Sequence, residues 1–281
     1  MKFTKMHGCG NDYVYINGFT EEISQEEKPD FVRRISDRHF GIGSDGAIFI
    51  NPSSKADFEM EMYNADGSRS EMCGNGIRCV GKYVYDYGLT DQEEITVESG
   101  GEIKYLKLYI TEGKVTEVRV NMGAPILEAK RVPVISEKEE VISEDIYLPE
   151  LKTKYKMTCV SMGNPHAVVF LQDVAGLEIE KIGPYFENHS LFPNRTNTEF
   201  VRIIDEENVE MRVWERGTGE TLACGTGCCA TAVACILNGL TKDEVTVHVL
   251  GGKIKIFWDR GKDLVFMTGP AATVFDGEIS K

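Results

Sequence analysis

Residues 214–239 read WERGTGETLACGTGCCATAVACILNG, and this stretch limits the chain's choice of fold more than any other. As far as Gly227 it is polar and glycine-rich, carrying Glu215, Arg216, Glu220 and Cys224. From Cys228 to Leu237 it is small and apolar on every side, and Asn238-Gly239 supplies a helix-stop signal. A helix that is apolar all round has to be buried on all sides. The reading is a glycine-rich loop that delivers Cys224 to the N-terminus of a helix at the centre of a core. Unpaired N–H groups there, together with the helix dipole, favour a thiolate or a bound carboxylate. A thiol so placed has its pKa lowered from ~8.5 into the range ~3.5–7.5.

The same design occurs 151 residues earlier, in YNADGSRSEMCGNGIRCVGKYVYDYG at residues 63–88. Aligning Cys73 with Cys224 places Tyr63 on Trp214, Asn64 on Glu215, Gly74 on Gly225 and Gly76 on Gly227. Ile77, Val80 and Val84 then follow at helical spacing, and Gly88 ends the run. Gly10-Asn11 and Gly163-Asn164 form a further pair at nearly the same offset. This is one long-period duplication, since solenoid periods are much shorter. It predicts two related halves, each presenting one cysteine at a helix start.

Around these helices the chain reads as short strands. They are expected at 2–6, 13–17, 47–51, 57–64, 95–98, 103–110 and 115–120 in the first half. In the second half they are expected at 155–160, 167–171, 200–204, 209–214, 245–249, 253–258 and 264–267. A helical stretch runs from Pro29 to Phe40, and the acidic, proline-bearing residues 128–150 read as a connection with only local structure. With no repeated βαβ signature, the fold class is α/β of the α+β type. Its boundaries are expected at 1–124 and 125–269. With 281 residues, 42% of them hydrophobic, the chain is long enough for two such cores. A net charge of −14 argues against nucleic acid and anionic membranes as partners. The N-terminal MKFTKMHGCGND lacks the apolar core of a signal peptide, no apolar run reaches the ~18 residues of a membrane span, and eight cysteines without an export signal fit a reducing cytoplasm.

Two motifs fail on context. Gly41-Ile-Gly43-Ser-Asp-Gly46 matches G-x-G-x-x-G, but a helix precedes it and a strand follows, the reverse of a dinucleotide site. Five residues separate Cys73 from Cys79 and three separate Cys224 from Cys228, which do not together make the two C-x₂₋₄-C pairs of a zinc site, so no metal and no cofactor is expected. Cys79, Cys229 and Cys235 lie within helices and read as core side chains. Two equivalent cysteines point to a symmetric chemistry. Inverting a carbon centre needs a base on one face and an acid on the other, and two tuned thiols can exchange those roles.

At these residues the chain resembles the diaminopimelate epimerase family. The blocks that carry the resemblance are MHGCGNDY (6–13), RHFGIGSDG (38–46), YNADGSRSEMCGNGIRC (63–79), VSMGNPHAV (160–168), FPNRTN (192–197) and WERGTGETLACGTG (214–227). The resemblance implies two pseudo-symmetric domains, each a strand-rich, barrel-like sheet around a central helix, with residues 270–281 returning to complete the first. It implies a cofactor-independent epimerase that interconverts LL- and meso-2,6-diaminopimelate in lysine and peptidoglycan precursor synthesis, with the active site in the cleft and a homodimeric assembly. Cys73 and Cys224 would be the acid–base pair, with His166 and Glu215 positioning the substrate or tuning the thiols. Asn11, Asn64, Gly74, Asn75, Asn164, Asn197, Glu215, Arg216, Gly225 and Thr226 would contact the substrate.

One position departs from the family pattern: many members carry glutamine where Gly46 stands, and there it contacts substrate. The nearest rival function is another epimerase of the superfamily, acting on proline or hydroxyproline, for which the Glu215-Arg216-Gly217 and 192–197 blocks would be superfluous. A cysteine-rich zinc module and a thiol–disulfide switch are the alternatives from other classes.

Overall fold

The computed structural model describes residues 1–70 and 73–280. The chain divides into two compact units: unit 1 comprises residues 1–120 and 268–281, and unit 2 comprises residues 121–267.

Unit 1 opens with the hairpin β1 (Lys2–Gly8) and β2 (Asn11–Asn17). Both loop residues, Cys9 and Gly10, have positive φ, the backbone that a two-residue hairpin turn demands. Helix α1 (Lys28–Ser36) crosses over to β3 (Gly46–Asn51), which runs parallel to β2. Next come β4 (Phe58–Asn64), the two-residue β5 (Arg69–Ser70) and helix α2 (Gly74–Asp86). Strand β6 (Glu94–Ser99) lies parallel to β4, and β7 (Glu102–Thr111) and β8 (Lys114–Gly123) continue as an antiparallel meander.

Unit 2 repeats this order. After β9 (Glu144–Leu148) come the antiparallel pair β10 (Thr153–Ser161) and β11 (Pro165–Phe170), then the crossover helix α3 (Ile179–Glu187) to β12 (Asn197–Ile203), parallel to β11. Strand β13 (Asn208–Glu215), the short β14 (Gly219–Thr221), helix α4 (Gly225–Leu237), β15 (Glu244–Val249) and β16 (Gly252–Asp259) match β4 to β7 pairing for pairing. Strand β17 (Leu264–Pro270) follows, and β18 (Ala272–Glu278) pairs antiparallel with β1. The duplication visible in the sequence is a duplication of topology.

Strands β2, β3, β11 and β12 are covered on both faces, which explains their nearly unbroken burial. In β2 and β3, Val14, Ile16, Ala47 and Phe49 join Phe31, Val32 and Ile35 of α1 in one cluster. The alternate residues point the other way, where Tyr15 donates to the Gly76 carbonyl in α2. In unit 2, Met157, Cys159, Ala167, Val169 and Phe200 pack with Ile179, Ile182 and Phe186 of α3. The opposite face carries His166, Val168, Glu199 and Val201 toward α4, a helix buried from Gly225 to Ile236 except at Thr226.

Three expectations need correction. Helix α1 ends at Ser36, not near Phe40, because the Asp37 carboxylate takes the N–H groups of His39 and Phe40 and turns the chain. Residues 128–150 are part of a core: Ala129, Val132, Val134, Val141, Ile146 and Leu148 are buried in the unit 2 cluster, and β9 pairs with β10. Helix α3 was not expected from the sequence. Among the described residues, no helix is long and apolar enough to cross a membrane.

Candidate active site

Cys73 and Cys224 occupy the same structural position. Each is the N-cap of its helix, with extended backbone (φ −135°, ψ 111° and φ −113°, ψ 112°). Each Sγ accepts the backbone N–H three residues on, from Gly76 at 3.3 Å and from Gly227 at 3.4 Å. A sulfur thus does what a serine or aspartate oxygen does in an ordinary cap. The glycines of Cys-Gly-x-Gly keep that first turn free of side chains on the capped face. Both helices also end alike, on glycines with positive φ, Gly88 and Gly239.

In unit 1 the thiol is held by a chain of polar contacts. Cys73 Sγ donates to Asn11 Oδ1 at 3.2 Å, and Asn11 Nδ2 donates to Asp45 Oδ2 at 2.7 Å. Arg38 then bridges Asp45 and Asp12, at 2.9 and 2.8 Å, and Lys5 pairs with Asp12. Burial alone would push the Asp12 carboxyl upward, but Arg38 and Lys5 outweigh it and hold it below its usual value. The glycine-rich loop that fails as a dinucleotide motif therefore has a local task, which is to turn Asp45 toward Asn11. Behind the same helix start, the fully buried Arg78 donates to the Gly74 carbonyl at 3.1 Å and to Asn75 Oδ1 at 2.9 Å, and its Nε reaches the Pro270 carbonyl at 3.2 Å. The Asn75 side chain thus helps build the turn. Asn64 lies at the end of β4 and donates to Ser68.

In unit 2, His166 has no exposure and lies between two partners. Its Nδ1 is 2.7 Å from Glu199 Oε1 and its Nε2 is 2.9 Å from Asn164 Oδ1. Asn197 uses both ends of its amide on backbone, donating to the Pro165 carbonyl and accepting from the Arg216 N–H, each at 2.9 Å. It thereby sets the bend after β13. Glu215 accepts from the Thr221 hydroxyl, and Arg216 Nη1 donates to the Asn194 carbonyl at 3.0 Å, so the two are not the exposed pair that adjacency would give. Thr226 Oγ1 sits 3.5 Å from Cys224 Sγ.

The lowered thiol pKa expected from the helix start does not hold for Cys224. Burial, then the carboxylates of Glu215 and Glu199, push this thiol well above its ordinary value, outweighing Thr226 and the Gly227 N–H. Cys224 is therefore protonated at neutral pH. Burial also raises the thiols of Cys9 and Cys159, that of Cys79 to about 11 and that of Cys235 to about 12, and none of the eight cysteines is joined in a disulfide. Among the described residues, no group of three or more histidine, cysteine or carboxylate side chains is arranged to hold a metal ion.

With this geometry in place, comparison with known proteins is decisive. The family model described as diaminopimelate epimerase matches residues 3–128 and 158–274. The chain belongs to the diaminopimelate epimerase family. A relative from Agathobacter rectalis named diaminopimelate epimerase is 58% identical, covering 99% of each chain, and one from Methanococcus maripaludis is 54% identical over the same share. Among solved structures, a probable proline racemase from Agrobacterium radiobacter superposes with a TM-score of 0.72 at 13% identity, over 99% of this chain and 92% of the other. A phenazine biosynthesis protein of the PhzF family from Bacillus anthracis superposes with 0.70 at 16%, over 100% and 99%. These two establish the fold.

Within the family frame, Gly46 is more than a missing glutamine. Its φ is +155°, and a Cβ there would lie 2.0 Å from the Tyr63 carbonyl oxygen and 3.0 Å from the Tyr13 ring. The backbone of this loop excludes a side chain, and Tyr13 fills the space. Two residues escaped sequence reasoning, Asp45 and Glu199. Asp45 sat inside a discounted motif, and Glu199 fell just before the strand expected at 200–204; its partner His166 is 33 residues earlier.

Proposed function

We propose that the chain interconverts LL- and meso-2,6-diaminopimelate by two-base proton transfer, without a cofactor, in the synthesis of lysine and peptidoglycan precursors. The observation that carries this reading is the pair of cysteines capping equivalent helices in a chain whose family match spans both units. Inversion at an α-carbon needs a base for one face and an acid for the other, and each unit offers one thiol. Cys224, held protonated by burial and by Glu215 and Glu199, enters as the acid. Cys73 acts as the base for that direction, and the roles exchange in reverse. The first turns of α2 and α4, at Gly74, Asn75, Gly225 and Thr226, turn their N–H groups and the positive ends of their helix dipoles toward the helix start, which suits the substrate carboxylate as charge builds on the α-carbon. Asn11, Asn64, Asn164, Asn197, Glu215 and Arg216 complete the proposed binding set, with His166 and Glu215 tuning the second half-site. The two units serve as the two domains, and a cytoplasmic homodimer is the proposed working form, checked by light scattering in solution.

The test follows LL-diaminopimelate in D₂O by NMR under reducing conditions, with no metal or cofactor added. Deuterium entering the α-position as the meso isomer forms supports both reaction and substrate. Absence of exchange with intact thiols removes this substrate. Cys73→Ala and Cys224→Ala are each expected to abolish epimerisation while leaving the circular dichroism spectrum unchanged. Retained turnover in either variant rejects the two-thiol mechanism.

A further inference from the structure

Glu199 is buried without exposure, and one of its oxygens, Oε2, has no hydrogen-bond partner among the described residues. A carboxylate in that situation costs stability unless its surroundings compensate. Two features do so. The first is His166: the parallel register of β11 and β12 sets His166 opposite Asn197 and Val168 opposite Glu199, so His166 and Glu199 are diagonal neighbours on the face that packs on α4. The second is the first turn of α4, whose dipole favours a negative charge. A Cβ at Gly227 would stand 2.7 Å from Glu199 Oε1 and 3.3 Å from Cys224 Sγ. Carboxylate, helix start and thiol thus share one small patch, and glycine at 227 makes the approach possible.

We propose that Glu199 is a positioning residue of the epimerase half-site, its carboxylate anchoring the Nδ1 edge of His166 and bracing the turn that presents Cys224. An ionised carboxylate only accepts, so the proton of the 2.7 Å contact belongs to Nδ1. Nε2 then faces the Asn164 side-chain amide, which pairs with it through the amide N–H when the ring carries one proton and through Oδ1 when it carries two. The same negative charge opposes ionisation of Cys224. The groups that face this thiol are Glu215 from β13, Glu199 from β12 with His166 behind it on β11, and the Thr226 hydroxyl and Gly227 N–H of α4. Across the sheet, on the α3 face, the Cys159 thiol of β10 is pushed up by burial and then by the charge of Glu199. A purely structural carboxylate would fill the same space with no effect on the reaction's proton inventory.

The inference rests on the proposed function, and its test separates the two. Wild type, Glu199→Gln and Glu199→Asp are compared by the pH dependence of kcat/KM for LL-diaminopimelate and by ¹⁵N spectra of the histidine ring, with His166 assigned from a His166→Gln sample. Gln keeps the size and removes the charge. Its expected result is a loss of about 10- to 100-fold in kcat/KM, a high-pH limb moved to lower pH, and a changed ring-nitrogen pattern at His166. Asp keeps the charge but withdraws it from Nδ1. Its expected result is a comparable loss with the high-pH limb in place, and this variant carries the test if the Gln variant does not fold. An unchanged pH profile and unchanged His166 nitrogens in either folded variant overturn the proposal. If wild type itself is inactive on this substrate, the function reading fails, while the ring-nitrogen comparison still reports whether Glu199 governs His166.

Discussion

Gly76 and Gly227 hold the same position, the third residue of a helix capped by cysteine, yet alanine should have unequal effects at the two. At either site alanine gains up to about 1 kcal/mol of helix propensity over glycine, a contribution that cancels in the comparison. At Gly76 the new methyl would meet Ile48 Cδ1 at 2.7 Å, the far end of a side chain that can turn, and Cys73 Cβ no closer than 3.4 Å. Overpacking of about 1–3 kcal/mol less the propensity gain leaves a net loss of about 0–2 kcal/mol. At Gly227 the methyl meets Glu199 Oε1 at 2.7 Å and Cys224 Cβ at 3.2 Å, within a patch that has no slack. Displacing the carboxylate breaks its contact with His166, and a hydrogen bond to a charged group contributes about 1.5–3 kcal/mol. The net cost rises to about 2–5 kcal/mol. Thermal unfolding and α-proton exchange, measured on both variants, read the difference. Gly227→Ala should melt several degrees below Gly76→Ala and lose most of its exchange rate. Equal melting with full exchange would mean that Glu199 does not press on the helix start.

Two further outcomes follow from buried groups in unit 1. Gly46→Gln, the residue the family resemblance leads one to expect there, should destabilise the chain by at least about 1–3 kcal/mol, because its Cβ has 2.0 Å to the Tyr63 carbonyl; a wild-type melting temperature would refute the loop geometry. Glu61 is buried and bound by Lys28, Tyr63 and Asn51; burial pushes its carboxyl up, and these partners overcome that and hold it below the ordinary value. A depressed folded-state pKa gives stability that is complete above the unfolded value of ~4.3 and is lost as pH falls through the folded one. Glu61→Gln should therefore cost about 3–5 kcal/mol at neutral pH and flatten the acid limb of the stability curve. Denaturation midpoints with the same slope against pH in both proteins would refute this.

The cysteine-headed helices were legible because their signals are local and mutually consistent: a small-residue turn, an apolar run and a glycine stop within one window. Helix α3 was hidden by its own residues. Pro184 lies inside it and Gly183 beside it, both local signs of a break, but the glycine is there because the Trp214 ring packs where a Cβ would be, at 2.3 Å. Residues 128–150 were misread for a similar reason, since their glutamates and lysines outnumber the six apolar residues that fix them to the core. Most of the proposed site residues were found as motif positions, but what each touches was not. That Asn75 and Asn197 spend their side chains on protein, or that Glu199 lies under His166, depends on the pairing of strands far apart in sequence, which no local pattern encodes.

The pairing of β18 with β1 has a consequence for how the molecule is made. The Met1 amino group donates to the Ile279 carbonyl at 2.7 Å, and Ile279 packs into the unit 1 core. Everything unit 2 needs is therefore translated before residues 272–278, whereas β1, made ahead of it, keeps one edge open until β18 emerges. An unpaired strand edge is a template for wrong partners. In the cell the first unit to begin is the last to be finished, and the interval during which this chain is vulnerable is set by the length of the unit inserted in its middle.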